Sequence, residues 1–126
     1  MEKTITYQEL DSIDDLRRVE PVVIYPTENI VNWSIHEAVF YNGEESRHLV
    51  GFVPSRSGRV TSAIQKFSPE NRKITTQSGR VYTLVGMPGC SDDAEHVWQC
   101  WSAGNGVVHD TNVTDEYTKQ IKYLVM

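Results

Sequence analysis

The sequence predicts an α+β fold, an antiparallel meander of about five strands (roughly residues 33–86) with two or three packed helices. Segments rich in β-branched and aromatic residues alternate with turn signals through the middle of the chain. A capped, amphipathic segment follows them. With 126 residues and 39% hydrophobic content, we expect one domain spanning residues 1–126.

The predicted strands follow one another between short turns. The first, in "NWSIHEAVFYNG", runs into Asn42-Gly43, a strong hairpin signal. "RHLVGFVP" is closed by Pro54, and "RVTSAIQKF", "KITTQ" and "RVYTLVG" complete the series. Turn chemistry in "SRSG", "SPENR" and Ser78-Gly79 separates them, which predicts a meander.

The tetrapeptide "SGRV" occurs at residues 57–60 and again at residues 78–81. Little similarity extends beyond the two copies, so we interpret each Ser-Gly pair as a turn in which Gly supplies positive φ. Arg59 and Arg80 would then begin two strands at the same end of the sheet. The anion that these two arginines bind could be a carboxylate of the chain itself, a nucleic-acid phosphate or an acidic patch on a partner. We favour the internal carboxylate.

The clearest helix signal is "SDDAEHVWQCWSAG", with Ser91 as N-cap, acidic residues in the first turn and Gly104 as the predicted stop. Trp98 and Trp101 fall on one face, which predicts core packing, with ligand stacking as the alternative. A shorter helix is predicted between Ser12 and Pro21. The terminal "TDEYTKQIKYLVM" fits a helix or a strand, and we favour the helix.

Charge is unevenly distributed around the net of −5. A basic block at residues 47–80 lies between two acidic ones. The block makes nucleic-acid binding an alternative function, with arginines for phosphates and aromatic groups for stacking. The binding residues predicted from these patterns are Arg56, Arg59, Arg80, Tyr82, Trp98 and Trp101.

Of the two cysteines, Cys90 precedes the predicted helix and Cys100 lies near its end. The helix between them makes the two thiols too far apart for a disulfide. Reduced thiols, no apolar segment that would span a membrane and no export signal together predict a soluble, cytoplasmic protein. We expect no cofactor, because neither a phosphate-binding loop nor a complete set of metal ligands is recognisable.

Cysteine chemistry supplies two further alternatives. Cys100 as nucleophile with His109 as base, and Asp110 or His96 as the orienting group, would give a cysteine-dependent hydrolase. His96 and Cys100, four residues apart on a helix, would present two zinc ligands, with Cys90 and His109 as remaining candidates. The structural alternative makes Cys100 a small buried apolar residue.

The segments "GFVPSRSGRVTSAI", "KITTQSGRVYTLVGMPG" and "VWQCW" resemble small uncharacterised proteins encoded by proteobacterial phages, prophages and plasmids, over roughly residues 33–105. The resemblance implies a mobile-element context and no catalytic motif. We therefore expect a non-enzymatic protein-binding protein, specifically an inhibitor or adaptor acting on a host protein. Acidic residues in 9–20 and 37–45 are its candidate contacts.

Overall fold

A computed structural model describes residues 27–121. The helix predicted between Ser12 and Pro21 and the end of the C-terminal segment, residues 122–126, lie outside the described residues. None of the helices within residues 27–121 is long and apolar enough to cross a membrane.

The described chain contains six strands and two helices. In chain order they are β1 (Glu28–Phe40), β2 (Glu45–Phe52), β3 (Gly58–Ser68), β4 (Lys73–Thr76), β5 (Val81–Leu84), α1 (Asp92–Asn105), β6 (Val107–Asn112) and α2 (Thr114–Thr118). The predicted α+β class is confirmed, and α2 shows that the C-terminal segment begins as a helix.

The sheet begins as the predicted antiparallel meander, because β1 to β5 pair in sequence order. Two pairings extend it. β5 lies parallel to the first residues of β1, so the pairings of β1 to β5 form a closed ring. β6 then pairs antiparallel with the second half of β1 and ends the sheet, which is therefore six-stranded and mixed.

Strand β1 is buried on both faces from Trp33 to His36. Its register with β2 shifts between Val31 and Ser34, where Asn32 adopts a φ of 49°, a conformation that Asn tolerates better than most residues. Past this bulge, alternate side chains point to opposite faces. Trp33 and Ile35 enter one hydrophobic cluster, whereas Ala38 enters the other.

The larger of the two hydrophobic clusters gathers side chains from β1, β2, β4 and β5 and from the α2 region. Its members are Ile30, Trp33, Ile35, Leu49, Val53, Ile74, Tyr82, Leu84, Val113, Tyr117 and Ile121. The smaller cluster lies under α1 and consists of Ala38, Val50, Ala94 and Trp98, with Phe40, Val60, Trp101 and Val107 packed against it. Helix α1 thus covers one face of the sheet.

Helix α1 begins as predicted but ends later. The Ser91 hydroxyl accepts a hydrogen bond from the Ala94 amide at 3.0 Å, which is an N-cap. At the other end the left-handed residue is Gly106, with a φ of 75°, whereas the predicted stop, Gly104, lies inside the helix. Position 106 needs Gly because a Cβ there would also meet the Tyr41 ring.

The two "SGRV" copies differ in their conformation. Gly79 has a φ of 90° and serves the β4–β5 turn as predicted. Gly58 is not among the residues with positive φ, so the predicted reason for its occurrence is wrong. A Cβ at Gly58 would lie 2.7 Å from the Ala94 nitrogen, and its amide donates to Asp93 at 2.7 Å. Gly58 therefore allows α1 to approach the start of β3.

Candidate functional site

Two histidines lie opposite each other on neighbouring strands beneath α1. His36 of β1 and His48 of β2 are register partners, and both are buried, at 7% and 4% exposure. Each follows a serine by two residues, Ser34 and Ser46, and each serine hydroxyl contacts the Nε2 atom of its histidine. Because side chains two apart in a strand share a face, the Ser-x-His pattern places both pairs together under the helix.

A chain of hydrogen bonds connects Ser34 to the surface. Ser34 Oγ lies 3.2 Å from His36 Nε2, and His36 Nδ1 lies 2.8 Å from Asp110 Oδ1 on β6. The Trp98 indole N–H donates to the other oxygen of Asp110 at 2.8 Å. A neutral imidazole that donates from Nδ1 to the carboxylate accepts at Nε2 from the serine hydroxyl. The Asp110 carboxylate therefore links β6, β1 and α1.

The second histidine has a different set of partners. His48 Nδ1 donates to the Thr61 carbonyl oxygen at 2.8 Å, since a carbonyl can only accept. Its Nε2 therefore accepts from Ser46 Oγ at 2.7 Å in the neutral form. Burial lowers the pKa of His48 below its usual value of 6.5, and the bond to the Thr61 carbonyl opposes that shift in part.

Both tryptophans of α1 pack on the histidines. Trp98 stacks on Trp101 with ring centroids 5.4 Å apart, and it lies 4.7 Å from the His36 ring. Trp101 lies 4.5 Å from the His48 ring. Trp98 is only 3% exposed and belongs to the hydrophobic cluster under α1, so its ring is a core group and not a free stacking surface.

A groove of about 380 Å³ runs between α1 and β6. The α1 residues that line it recur at helical spacing, and the β6 residues come from the start of the strand. The lining consists of Glu95, Trp98, Gln99, Ser102, Ala103, Val107, Val108, His109 and Asp110. Asp110 keeps 40% of its side chain exposed here, so the hydrogen-bonded chain that begins at Ser34 ends in this groove.

The order Ser34, His36, Asp110 resembles a nucleophile, base and orienting carboxylate. The exposure of the three groups is the reverse of what catalysis needs, because Ser34 is buried at 7% exposure and the carboxylate is the accessible end. Ser34 also does not line the groove. A substrate in the groove would meet Asp110 and not the hydroxyl, which favours a role in holding the carboxylate over nucleophilic attack.

Of the two arginines predicted to share an internal carboxylate, Arg80 lies at Glu28, and Arg56 takes the place predicted for Arg59. Arg56 Nε lies 3.4 Å and Arg80 Nη1 lies 3.6 Å from the same Glu28 oxygen, whose side chain is only 13% exposed. Ser55 donates to the other oxygen at 3.3 Å. Arg59, the remaining predicted member, makes no hydrogen bond or ion pair with these groups and lies opposite Gly51 of β2.

Other members of the basic block are also engaged within the protein. Arg47 pairs with Glu37 at 3.1 Å and Glu116 at 2.9 Å, and its hydrogen bonds to Tyr117 and to these two carboxylates raise its pKa further above the usual value. Arg72 and Lys73 donate to Gly86 and Thr83. Tyr82, predicted as a stacking group, is buried at 2% exposure in the larger cluster, so no ring face is open to a base.

The two cysteines lie in surroundings that differ from those predicted. Cys100 is exposed, so the alternative that makes it a buried apolar residue is wrong. The imidazole that contacts its Sγ is His96, at 3.6 Å from Nε2, whereas His109 lines the groove on β6 and Cys100 does not. Cys90 is exposed and unpaired as well. Within residues 27–121, no group of three or more His, Cys, Asp or Glu side chains is arranged to hold a metal ion.

The sequence interpretation missed Ser34, His36, Ser46 and His48, and it considered Asp110 only as an orienting group for Cys100 and His109. A signal for the four missed residues is present in "SIH" and "SRH", two Ser-x-His triplets on strands joined by a hairpin. Comparison with descriptions of known protein families, with curated proteins and with solved structures found no match for this chain.

Proposed function

We propose that this chain is a non-enzymatic protein-binding protein and that the α1–β6 groove is its binding surface. The observation that supports the proposal is the position of β6, which forms one wall of the groove and is the end strand among those of residues 27–121. Within the described residues β6 pairs with β1 alone, so its second edge offers backbone donors and acceptors to an added strand.

The composition of the groove supports a peptide segment as ligand. Ala103, Val107 and Val108 supply apolar contact, and Val108 is 57% exposed, while Gln99 and Ser102 add polar groups. A mixed lining beside an end strand is typical of sites in which backbone hydrogen bonds give affinity and side-chain pockets give specificity. The buried position of Ser34 argues against hydrolysis at the same place.

The specific form of the proposal is an inhibitor or adaptor encoded by a mobile element, acting in the cytoplasm on a host protein. Its basis is the resemblance over residues 33–105 together with the groove. Nucleic-acid binding is the weaker candidate, because Arg47, Arg56 and Arg80 each have a carboxylate partner within the protein.

The test is capture from a proteobacterial lysate with a variant that fills the groove. Ala103 is an exposed lining residue of α1, so Ala103→Trp should block the groove without removing a core contact. Gln65→Trp, at an exposed position of β3 outside the lining, is the matched control. We expect a protein that the parent and Gln65→Trp retain and that Ala103→Trp loses. Equal capture by all three, or no capture, would contradict the proposal.

A further inference from the structure

Within residues 27–121, most carboxylates that form ion pairs have an arginine as partner. Glu28 lies against Arg56 and Arg80, and Glu37 and Glu116 share Arg47. These pairs join β1 to the loop before β3, to the residue that precedes β5 and to β2, and they join β2 to α2. Such carboxylates are neutralised from within the protein and present little net charge to a partner.

The two carboxylates of the groove, Glu95 and Asp110, lack such a partner. Within residues 27–121 neither forms an ion pair with a Lys or Arg side chain. Asp110 accepts hydrogen bonds from an imidazole and an indole, which fix its orientation, and it stays 40% exposed. A partly exposed carboxylate that is held in place has lone pairs left for a further donor.

The part of the sequence that forms the groove is acidic. Between Arg80 and Lys119 there is no Lys or Arg, whereas this stretch carries six acidic residues. Four of them, Asp92, Asp93, Glu95 and Asp110, belong to the two elements that form the groove. Among the described residues, the groove lining contains no Lys or Arg side chain that would offset them.

We propose that the occupant of the groove is an extended peptide segment of a partner protein that inserts an Arg or Lys side chain between Glu95 and Asp110. The inference rests on the proposed function and specifies its ligand. The alkyl part of the inserted side chain would pack on Ala103 and Val107, and the cationic end would meet the two carboxylates. A volume of about 380 Å³ suits one or two residues of a segment.

The experiment uses four five-residue peptides as probes, Thr-Val-Xaa-Val-Thr with Arg, Lys, Gln or Glu at the centre. The full chain, labelled with ¹⁵N, is titrated with each peptide, and the Trp98 indole and the His109 and Asp110 amides are followed by NMR. We expect the Arg and Lys peptides to bind about five- to tenfold more tightly than the Gln and Glu peptides, with the difference shrinking in high salt.

Charge variants of Glu95 complete the test, because this side chain makes no hydrogen bond to the core. Glu95→Gln should lower affinity for the Arg peptide, and Glu95→Lys should shift preference toward the Glu peptide. Glu70→Gln, at an exposed position outside the groove, is the control and should change nothing. Equal affinity for all four peptides, shifts that lie outside the groove, or no shift with any peptide would overturn the inference.

The two proposals fail in different ways. If Ala103→Trp no longer captures a lysate protein but Glu95→Lys still captures it as well as the parent does, the groove remains the binding surface and the cationic occupant is refuted. A lysate protein that Ala103→Trp also retains would refute the proposed function itself.

Discussion

Removing the Asp110 side chain tests the hydrogen-bonded chain between the core and the groove. Asp110→Ala deletes two hydrogen bonds of 2.8 Å to a charged acceptor, one from His36 and one from Trp98. The donors belong to residues that are 7% and 3% exposed, so water replaces the lost acceptor poorly. We expect the free energy of unfolding to fall.

The size of the effect follows from the exposure of the groups. Hydrogen bonds to a charged group contribute about 1.5–3 kcal/mol each, and the lower value applies because Asp110 is 40% exposed. Asp110→Ala should therefore cost about 3 kcal/mol, which lowers the melting temperature of a chain of this length by about 10 °C. Asp110→Asn keeps one acceptor and should lose about half as much.

Thermal and urea unfolding followed by circular dichroism and tryptophan fluorescence measure the change. Glu70→Ala, at an exposed position with no described side-chain partner, serves as control and should melt like the parent. If Asp110→Ala melts within about 1 °C of the parent, the two hydrogen bonds contribute nothing net and the structural role given to the chain is wrong.

Three further outcomes follow from the structure. Burial lowers the pKa of His48 in the folded state, so below about pH 6.5 the unfolded chain binds a proton at His48 more readily than the folded chain does. The free energy of unfolding should therefore fall by up to about 1.4 kcal/mol per pH unit in that range. Urea unfolding at a series of pH values should show a flatter pH dependence for His48→Gln than for the parent. Gly58→Ala should destabilise by about 1–3 kcal/mol, since its Cβ would meet the backbone of Ala94 at 2.7 Å, whereas Gly104→Ala, with open space around it, should stabilise α1 by up to about 1 kcal/mol in the same melts. Glu28→Gln removes the negative charge that Arg56 and Arg80 share. The free energy of unfolding should fall by about 1 kcal/mol, and the melting temperature by a few degrees. An unchanged melting temperature, together with strongly salt-dependent retardation of DNA by the parent, would favour the nucleic-acid alternative.

Local signals in the sequence predicted the meander and the main helix well. Asn42-Gly43 and Ser78-Gly79 mark real turns, since Gly43 and Gly79 both have a φ of 90°. Ser91 caps α1 as its side-chain chemistry predicts. These features depend on a few neighbouring residues, so the sequence alone was sufficient to find them.

Features that depend on distant residues were missed. The ring closes through a parallel pairing of only three residues from β1 with β5, and no local pattern indicates which strand ends will meet. Strand β6, "VVHDTN", is exposed at five of six positions and lacks the alternation of a half-buried strand. Asp110 could not be connected with His36, 74 residues away, before β6 was known to pair with β1.

The same long-range contact bears on whether this site reacts or binds. In a serine nucleophile system the hydroxyl faces the substrate and the carboxylate is buried behind the imidazole. Here Ser34 and His36 are inside and Asp110 faces the groove. A carboxylate held by two donors loses little conformational freedom when a cation arrives, which lowers the entropic cost of binding. In the binding site that we propose, the buried Ser34–His36 pair holds Asp110 in the orientation in which it meets a ligand.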